Sequence, residues 1–145
     1  MLRRMRAGES TALVGVALIV ASLLTPSYTS AGGDLSAWET FGASVTLQLA
    51  AACAALAMIV AALTERESPA HSVATAVWCV PLALLATIAS VIRALELPGH
   101  ATAPAVGVWL ALAGSCAILI GSWIVVRDEH TPLYTPAKPN PRPRP

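Results

Sequence analysis

Cysteine and histidine are the side chains of this chain best suited to redox chemistry or metal binding, and their spacing favours neither. The cysteines stand singly in three separate apolar stretches, at Cys53, Cys79 and Cys116. Without a C-x-x-C pair they do not match a thiol–disulfide exchange site. The histidines fall between the apolar stretches, with no H-E-x-x-H or comparable metal-ligand spacing, at His71, His100 and His130. We expect no metal site and no cofactor.

Charged side chains are also kept out of the apolar stretches, where a carboxylate would mark an ion or proton pathway. This pattern counts against a small proton-coupled exporter. The stretches also lack a serine–histidine pair at membrane depth, and the chain has no glycine-rich phosphate loop. No catalytic residue is predicted, and an enzyme is the class that the sequence supports least. The formal net charge of +1 gives no indication of a nucleic-acid partner.

The composition indicates an integral membrane protein. Hydrophobic residues make up 56% of the 145 residues and charged residues 12%, with a mean hydropathy of +0.68. In soluble domains about a quarter of the residues are charged. Four apolar stretches approach the roughly 20 residues that a helix needs to cross a bilayer, at about 10–26, 41–63, 72–92 and 105–126. Their short connections predict an all-α, up-down-up-down bundle of four transmembrane helices over residues 1–129.

The basic residues predict the orientation of this bundle. Crossing four times from a cytoplasmic N-terminus leaves only Arg93 outside and puts the other basic residues inside: Arg3, Arg4, Arg6, Arg66, Arg127, Lys138, Arg142 and Arg144. The positive-inside rule therefore predicts a multi-pass protein of the cell membrane with both termini cytoplasmic. Repeated prolines predict a disordered, basic C-terminal tail over residues 130–145.

The first apolar stretch has a second interpretation. Its basic start, short apolar run and small residues near Thr29 and Ala31 also fit a cleaved secretory signal, with a mature start at Gly32. We favour retention as a membrane helix because a packing face recurs in it at helical spacing, at Thr11, Gly15, Leu18, Ser22 and Thr25.

Glycine recurs every seventh residue in the last apolar stretch, at Gly107, Gly114 and Gly121. At 100° per residue a step of seven drifts by only about 20°, so these glycines share one stripe, which Ala111 flanks. The stripe predicts close packing against a neighbouring helix, although Ile118 and Val125 interrupt it. Trp109 and Trp123 point away from the stripe and are predicted interfacial anchors.

The second and third stretches each have one side suited to helix packing. Gln48 shares an arc with Ala52 and Ala55, so its amide is predicted to bond a serine or threonine of a neighbouring helix. Thr75 and Ser90 lie on the small-residue side of the third stretch, which Pro81 is predicted to bend. A transport path between these two helix sides, near Gln48, Thr75 and Ser90, is the alternative to plain interhelical contact.

Ser36 and Glu39 match a capping box, which predicts that a helix begins outside the bilayer and continues into the second span. Trp38 and Phe41 would then lie at headgroup depth as interfacial anchors. An external ligand pocket is the alternative for the same segment, built from Tyr28, Asp34, Trp38 and Glu39. Anchoring explains these residues more simply.

The order of several short motifs between Tyr28 and Glu129 resembles a group of small, uncharacterised four-span integral membrane proteins of high-G+C bacteria. The motifs are the segment from Asp34 to Phe41, Pro98-Gly99, and Gly121-Ser122-Trp123 leading to Arg127-Asp128-Glu129. Members of the group often end the first span with an aromatic Pro-Trp turn, where this chain has Thr25-Pro26-Ser27-Tyr28. The resemblance implies four spans in a cytoplasmic membrane, and it implies no activity.

Two functions are compatible with these patterns. The favoured one is a non-catalytic membrane protein, an accessory or assembly subunit that presents a small-residue surface to a second copy or to a larger membrane complex. The alternative is a small transporter or channel component. The expected partners are the lipid bilayer and other membrane helices, and no nucleic acid is expected.

Overall fold

The computed structural model describes residues 7–64, 70–97, 99 and 101–128, with the backbone alone at Phe41 and at residues 70–73. Four helices account for most of these residues: α1 (Ala7–Leu24), α2 (Ala37–Thr64), α3 (Ala70–Leu95) and α4 (Val106–Arg127). All four are long and apolar enough to cross a membrane, which confirms the predicted set of apolar helices. The predicted disordered tail over 130–145 lies outside the described residues.

The helices pack through small side chains. α1 lies most extensively against α4, and α3 lies against both α2 and α4. Gly8 and Gly15 of α1 face Gly121 and Gly114 of α4 respectively, so these two helices run antiparallel. Alanines recur throughout the buried core, at Ala12, Ala52, Ala55, Ala76 and Ala83. Because these side chains are small, the helix backbones approach closely, as is typical of helix pairs in membranes.

The connections at one end of the bundle form a three-stranded antiparallel sheet, which the all-α prediction missed. β1 (Tyr28–Ser30) pairs with both β2 (Gly33–Leu35) and β3 (Ala101–Pro104), in the order β2-β1-β3. Ser30 pairs with Gly33 across a two-residue hairpin loop, and Gly33 has a φ of +127°, which favours glycine. Strands of three or four residues are too short to show the alternation by which strands are recognised in a sequence.

α1 and α3 extend beyond their predicted spans and bury the charged residues that they gain. α3 continues to Leu95, so Arg93, predicted in an outer loop, lies in its last turn and is only 2% exposed. α1 begins at Ala7 and includes Glu9, which is 6% exposed. An acidic residue in a first turn and a basic residue in a last turn both interact favourably with the helix dipole, which explains these longer helices. Both residues lie outside the predicted apolar stretches, but the prediction that Arg93 belongs to an outer loop is wrong.

Candidate functional site

A glycine interface joins α1 to α4, and its residues are Gly8, Gly15, Gly114 and Gly121. A methyl group added to Gly114 would lie 2.9 Å from the carbonyl oxygen of Gly15 and 2.8 Å from Cγ1 of Ile19. One added to Gly121 would lie 2.6 Å from the carbonyl oxygen of Gly8. These distances are shorter than Cβ atoms tolerate, so a larger residue requires the helices to move apart.

Bulky side chains of α4 fill the space above the glycines of α1. A Cβ added to Gly15 would lie 2.8 Å from Cγ1 of Ile118, and one added to Gly8 would lie 2.8 Å from Cγ2 of Val125. Both side chains are buried, at 0% and 8% exposure. They interrupt the row of small residues, as the sequence indicates, and they also belong to the packing surface. Ala111, which was predicted to flank the glycine stripe on the same helix, is also buried, at 2% exposure.

Gly107 contacts the corner after α1 instead of the helix itself. Its N–H donates to the carbonyl oxygen of Pro26 at 3.0 Å, and a Cβ at this position would lie 2.8 Å from the same oxygen. The first turn of α4 is thus fixed against the chain that leads from α1 into β1.

A buried polar cluster connects three helices and consists of Gln48, Ser90 and Ser115. Gln48 Nε2 donates to Ser90 Oγ at 2.9 Å, and Ser115 Oγ lies 3.4 Å from Ser90 Oγ. All three side chains are at most 1% exposed. The Ser90 hydroxyl donates to the carbonyl oxygen of Ala86 at 2.7 Å. The cluster links α2, α3 and α4 through side-chain hydrogen bonds.

Thr75 does not join this cluster. It is half-buried on α3, and the rise of about 1.5 Å per residue puts it about 22 Å along the helix from Ser90. Of the three residues on the predicted transport path, the structure therefore brings together Gln48 and Ser90 and leaves Thr75 apart. Pro81 lies between them on α3, which continues through it as a helix, and its side chain is exposed.

The capping box at the start of α2 forms as predicted. The backbone N–H and the hydroxyl of Ser36 both donate to Glu39 Oε2, at 2.9 and 2.8 Å. The hydrogen bond from the Ser36 backbone has the larger effect and the bond from its hydroxyl the smaller one, and together they hold the pKa of Glu39 below its ordinary value of 4.5. Because the pKa of Glu39 is lower in the folded state than in the unfolded state, its ionised carboxylate stabilises the fold at pH values above the unfolded-state pKa. That contribution disappears as the pH falls through the lowered value.

The predicted external pocket is not assembled. Tyr28 is fully buried, and its hydroxyl donates to the backbone carbonyl oxygen of Arg93 at 2.6 Å, whereas Asp34 and Glu39 are exposed. Three of the predicted anchors are more than half exposed, at 52% for Trp38, 55% for Trp109 and 58% for Trp123. The side chain of the fourth, Phe41, lies outside the described residues.

A pocket that was not predicted lies between α2 and α3, at the sheet end of the bundle. It has a volume of about 300 Å³ and is lined by Ala43, Ser44, Leu47, Ala89, Ile92 and Arg93. Arg93 is the one charged residue among them. A signal for its burial exists in the sequence, because the seam of Ala83, Ala86 and Ser90 reaches Arg93 at the next helical step.

The α2 outer face consists of small, exposed residues spaced three and four apart along one side of the helix: Ala43, Thr46, Ala50, Cys53 and Ala57. The other helices expose large hydrophobic side chains along their outward sides, including Val14 on α1, Trp78 on α3 and Trp123 on α4. α2 also exposes large side chains near its C-terminal end, at Leu56, Val60 and Leu63, so its small exposed surface is confined to residues 43–57.

The cysteines do not form a redox or metal centre. Cys53 is exposed, Cys79 is buried, Cys116 is partly buried, and all three are free thiols. Over the described ranges no group of three or more His, Cys, Asp and Glu side chains lies close enough to hold a metal ion. His100, His130 and the side chain of His71 lie outside those ranges.

Comparison with known proteins found no matching family model, no matching curated protein and no matching solved structure. The fold has four helices that are long and apolar enough to span a membrane.

Proposed function

We propose that the protein is a non-catalytic integral membrane protein of the cell membrane, an accessory or assembly subunit that docks a further transmembrane helix on the α2 outer face. The smoothness of this face is the observation that carries the proposal. Membrane helices associate where small residues allow their backbones to approach, while large apolar side chains face lipid. Among the described residues, α2 has small exposed side chains in a row on one side from residue 43 to residue 57: Ala43, Thr46, Ala50, Cys53 and Ala57.

In the proposed arrangement all four helices cross the bilayer in alternating directions, with both termini cytoplasmic and the sheet outside. The distribution of basic residues supports this orientation, because Arg93 is the one basic residue near the sheet end. Exposed large hydrophobic residues on α1, α3 and α4 support contact with lipid, since such a continuous apolar surface would promote aggregation in water.

The docked helix belongs either to a second copy of the chain or to a different membrane protein. Cys53 distinguishes the two, because it is exposed in the middle of the α2 outer face. In a background with Cys79 and Cys116 replaced by alanine, we attach a thiol-specific photo-crosslinker to Cys53 and expect illumination of native membranes to trap the docked helix, whichever side chains it carries. A product of twice the chain's mass identifies a homodimer, and a defined heterogeneous product identifies a partner.

The substitution Ala50→Leu tests whether the face itself makes the contact. We expect it to abolish the Cys53 product, because a bulky side chain at the centre of the face prevents close approach. Ala113→Leu is the matched control, since Ala113 is an exposed alanine on α4, away from this face. The proposal is wrong if Ala50→Leu leaves the product unchanged or if no product forms. Solute exchange in liposomes that Gln48→Leu abolishes without unfolding would support the transporter alternative instead.

A further inference from the structure

We propose that the pocket between α2 and α3 binds a membrane phospholipid with an anionic headgroup, its phosphate held by Arg93 and an acyl chain lying along the apolar wall. This inference rests on the proposed membrane placement of the bundle. The pocket shares Ala43 with the α2 outer face, so lipid binding and docking are measured separately below.

The pocket lies at the depth where lipid phosphates are found. The apolar part of α2 begins at Gly42, so Ala43 and Ser44 are in its first turn. The apolar part of α3 ends at Leu95, so Arg93 is in its last turn. Both sets of residues therefore line the pocket at the boundary between hydrocarbon and headgroups.

The chemistry of the lining matches an amphiphile. A guanidinium group is charged at any physiological pH and presents five N–H donors in a planar fork that suits phosphate oxygens, in addition to contacts within the protein. The remaining wall is apolar except for Ser44. A volume of about 300 Å³ is at the lower end of the range for ligand sites, which are mostly apolar with a few well-placed polar groups.

The position of Arg93 differs from that of an ordinary arginine at a membrane surface. Such a side chain usually extends its guanidinium into water, whereas Arg93 is 2% exposed. Its backbone is also fixed, because the buried Tyr28 donates to its carbonyl oxygen at 2.6 Å. The sheet thus fixes the backbone of Arg93 at one edge of the pocket.

Lipid binding to the delipidated full-length protein in neutral detergent tests this proposal. Phosphatidylglycerol and phosphatidylcholine with identical acyl chains are titrated, and bound lipid is counted by native mass spectrometry. We expect phosphatidylglycerol to bind preferentially and Arg93→Gln to weaken it roughly tenfold, as the loss of a charge-assisted hydrogen bond implies. Arg127→Gln is the matched control, because Arg127 is an exposed cation at the other end of the bundle.

Inorganic phosphate distinguishes a lipid site from a free-anion site. We expect it to leave phosphatidylglycerol binding unchanged at equal concentration, since it lacks the acyl chain. Competition by inorganic phosphate at that concentration would overturn the lipid assignment. Equal binding of the two lipids would overturn the preference for an anionic headgroup, and wild-type binding by Arg93→Gln would overturn the role of Arg93.

A second variant covers the case in which Arg93→Gln does not fold. Ala89→Leu narrows the pocket and leaves the arginine in place, so we expect it to reduce bound phosphatidylglycerol while the protein remains folded. Unchanged lipid binding by a folded Ala89→Leu protein would contradict the proposal. The Cys53 crosslink is measured in the same variants. A crosslink that persists while lipid is lost, or the reverse, separates this site from the docking function.

Discussion

At Gly114 the backbones of α1 and α4 come so close that a single methyl group does not fit. We expect Gly114→Ala to lower the free energy of unfolding by about 1–3 kcal/mol, the usual cost of overpacking a well-packed core. The added Cβ would lie 2.9 Å from the carbonyl oxygen of Gly15. Reversible unfolding in mixed detergent micelles measures the change.

Gly42→Ala is the control for this substitution. Gly42 lies in α2 with nothing within 4 Å of an added Cβ. Because alanine is favoured over glycine inside a helix by about 1 kcal/mol, we expect this variant to be as stable as the wild type or more stable. Equal destabilisation by the two alanines would contradict the close packing at Gly114.

The sequence reveals one side of this contact but not its complement. A step of seven between glycines identifies the stripe on α4 without any knowledge of its neighbour. Which side chain enters the gap above each glycine depends on the register between two helices, and no single helix encodes it. Ile118 and Val125 consequently looked like defects, and Gly8 lies before the predicted start of the first span. The same limit applies to Gln48, whose inward direction is readable, while its bond to Ser90 depends on relative depth.

The sheet attaches to the helices through Tyr28. We expect Tyr28→Phe to cost about 0.5–1.5 kcal/mol, the net value of a typical hydrogen bond, and to leave the carbonyl of Arg93 without this donor. The effect should be local, with faster amide hydrogen exchange at Ser27 and Ala105, whose N–H groups bond Leu35 and Ser27. Unchanged exchange at these two amides would mean that the sheet is held by other contacts. Thr46→Ala, on an exposed side of α2, is the control.

At the level of elements, the helices were predictable and the sheet was not. Long apolar stretches define helices by composition, and the Ser36–Glu39 pair marks the start of α2 through a local contact. β1 and β3 lie on either side of α2 and α3 in the chain, so their pairing is a product of the bundle that brings them together. Their short, polar sequences carry no signal of their own.

Cysteine accessibility tests the orientation of the whole molecule. In a background with all three native cysteines replaced by alanine, we introduce Ala31→Cys at the hairpin and Asp128→Cys at the end of α4; both positions are exposed. The proposed topology puts them on opposite sides of the membrane. A membrane-impermeant maleimide should label Ala31→Cys in intact cells, and Asp128→Cys only after permeabilisation. Labelling of Asp128→Cys in intact cells would contradict cytoplasmic termini.

The pairing of α1 with α4 also determines when the packing surface of α1 becomes covered during synthesis. α1 leaves the ribosome before α4, its main neighbour, so Gly8 and Gly15 stay uncovered until α4 has been made. During that interval α1 has only the modest contact with α2 available. A nascent chain stalled before Val106 would hold an open groove toward the lipid, and membrane quality control could recognise that groove as a sign of an unfinished protein.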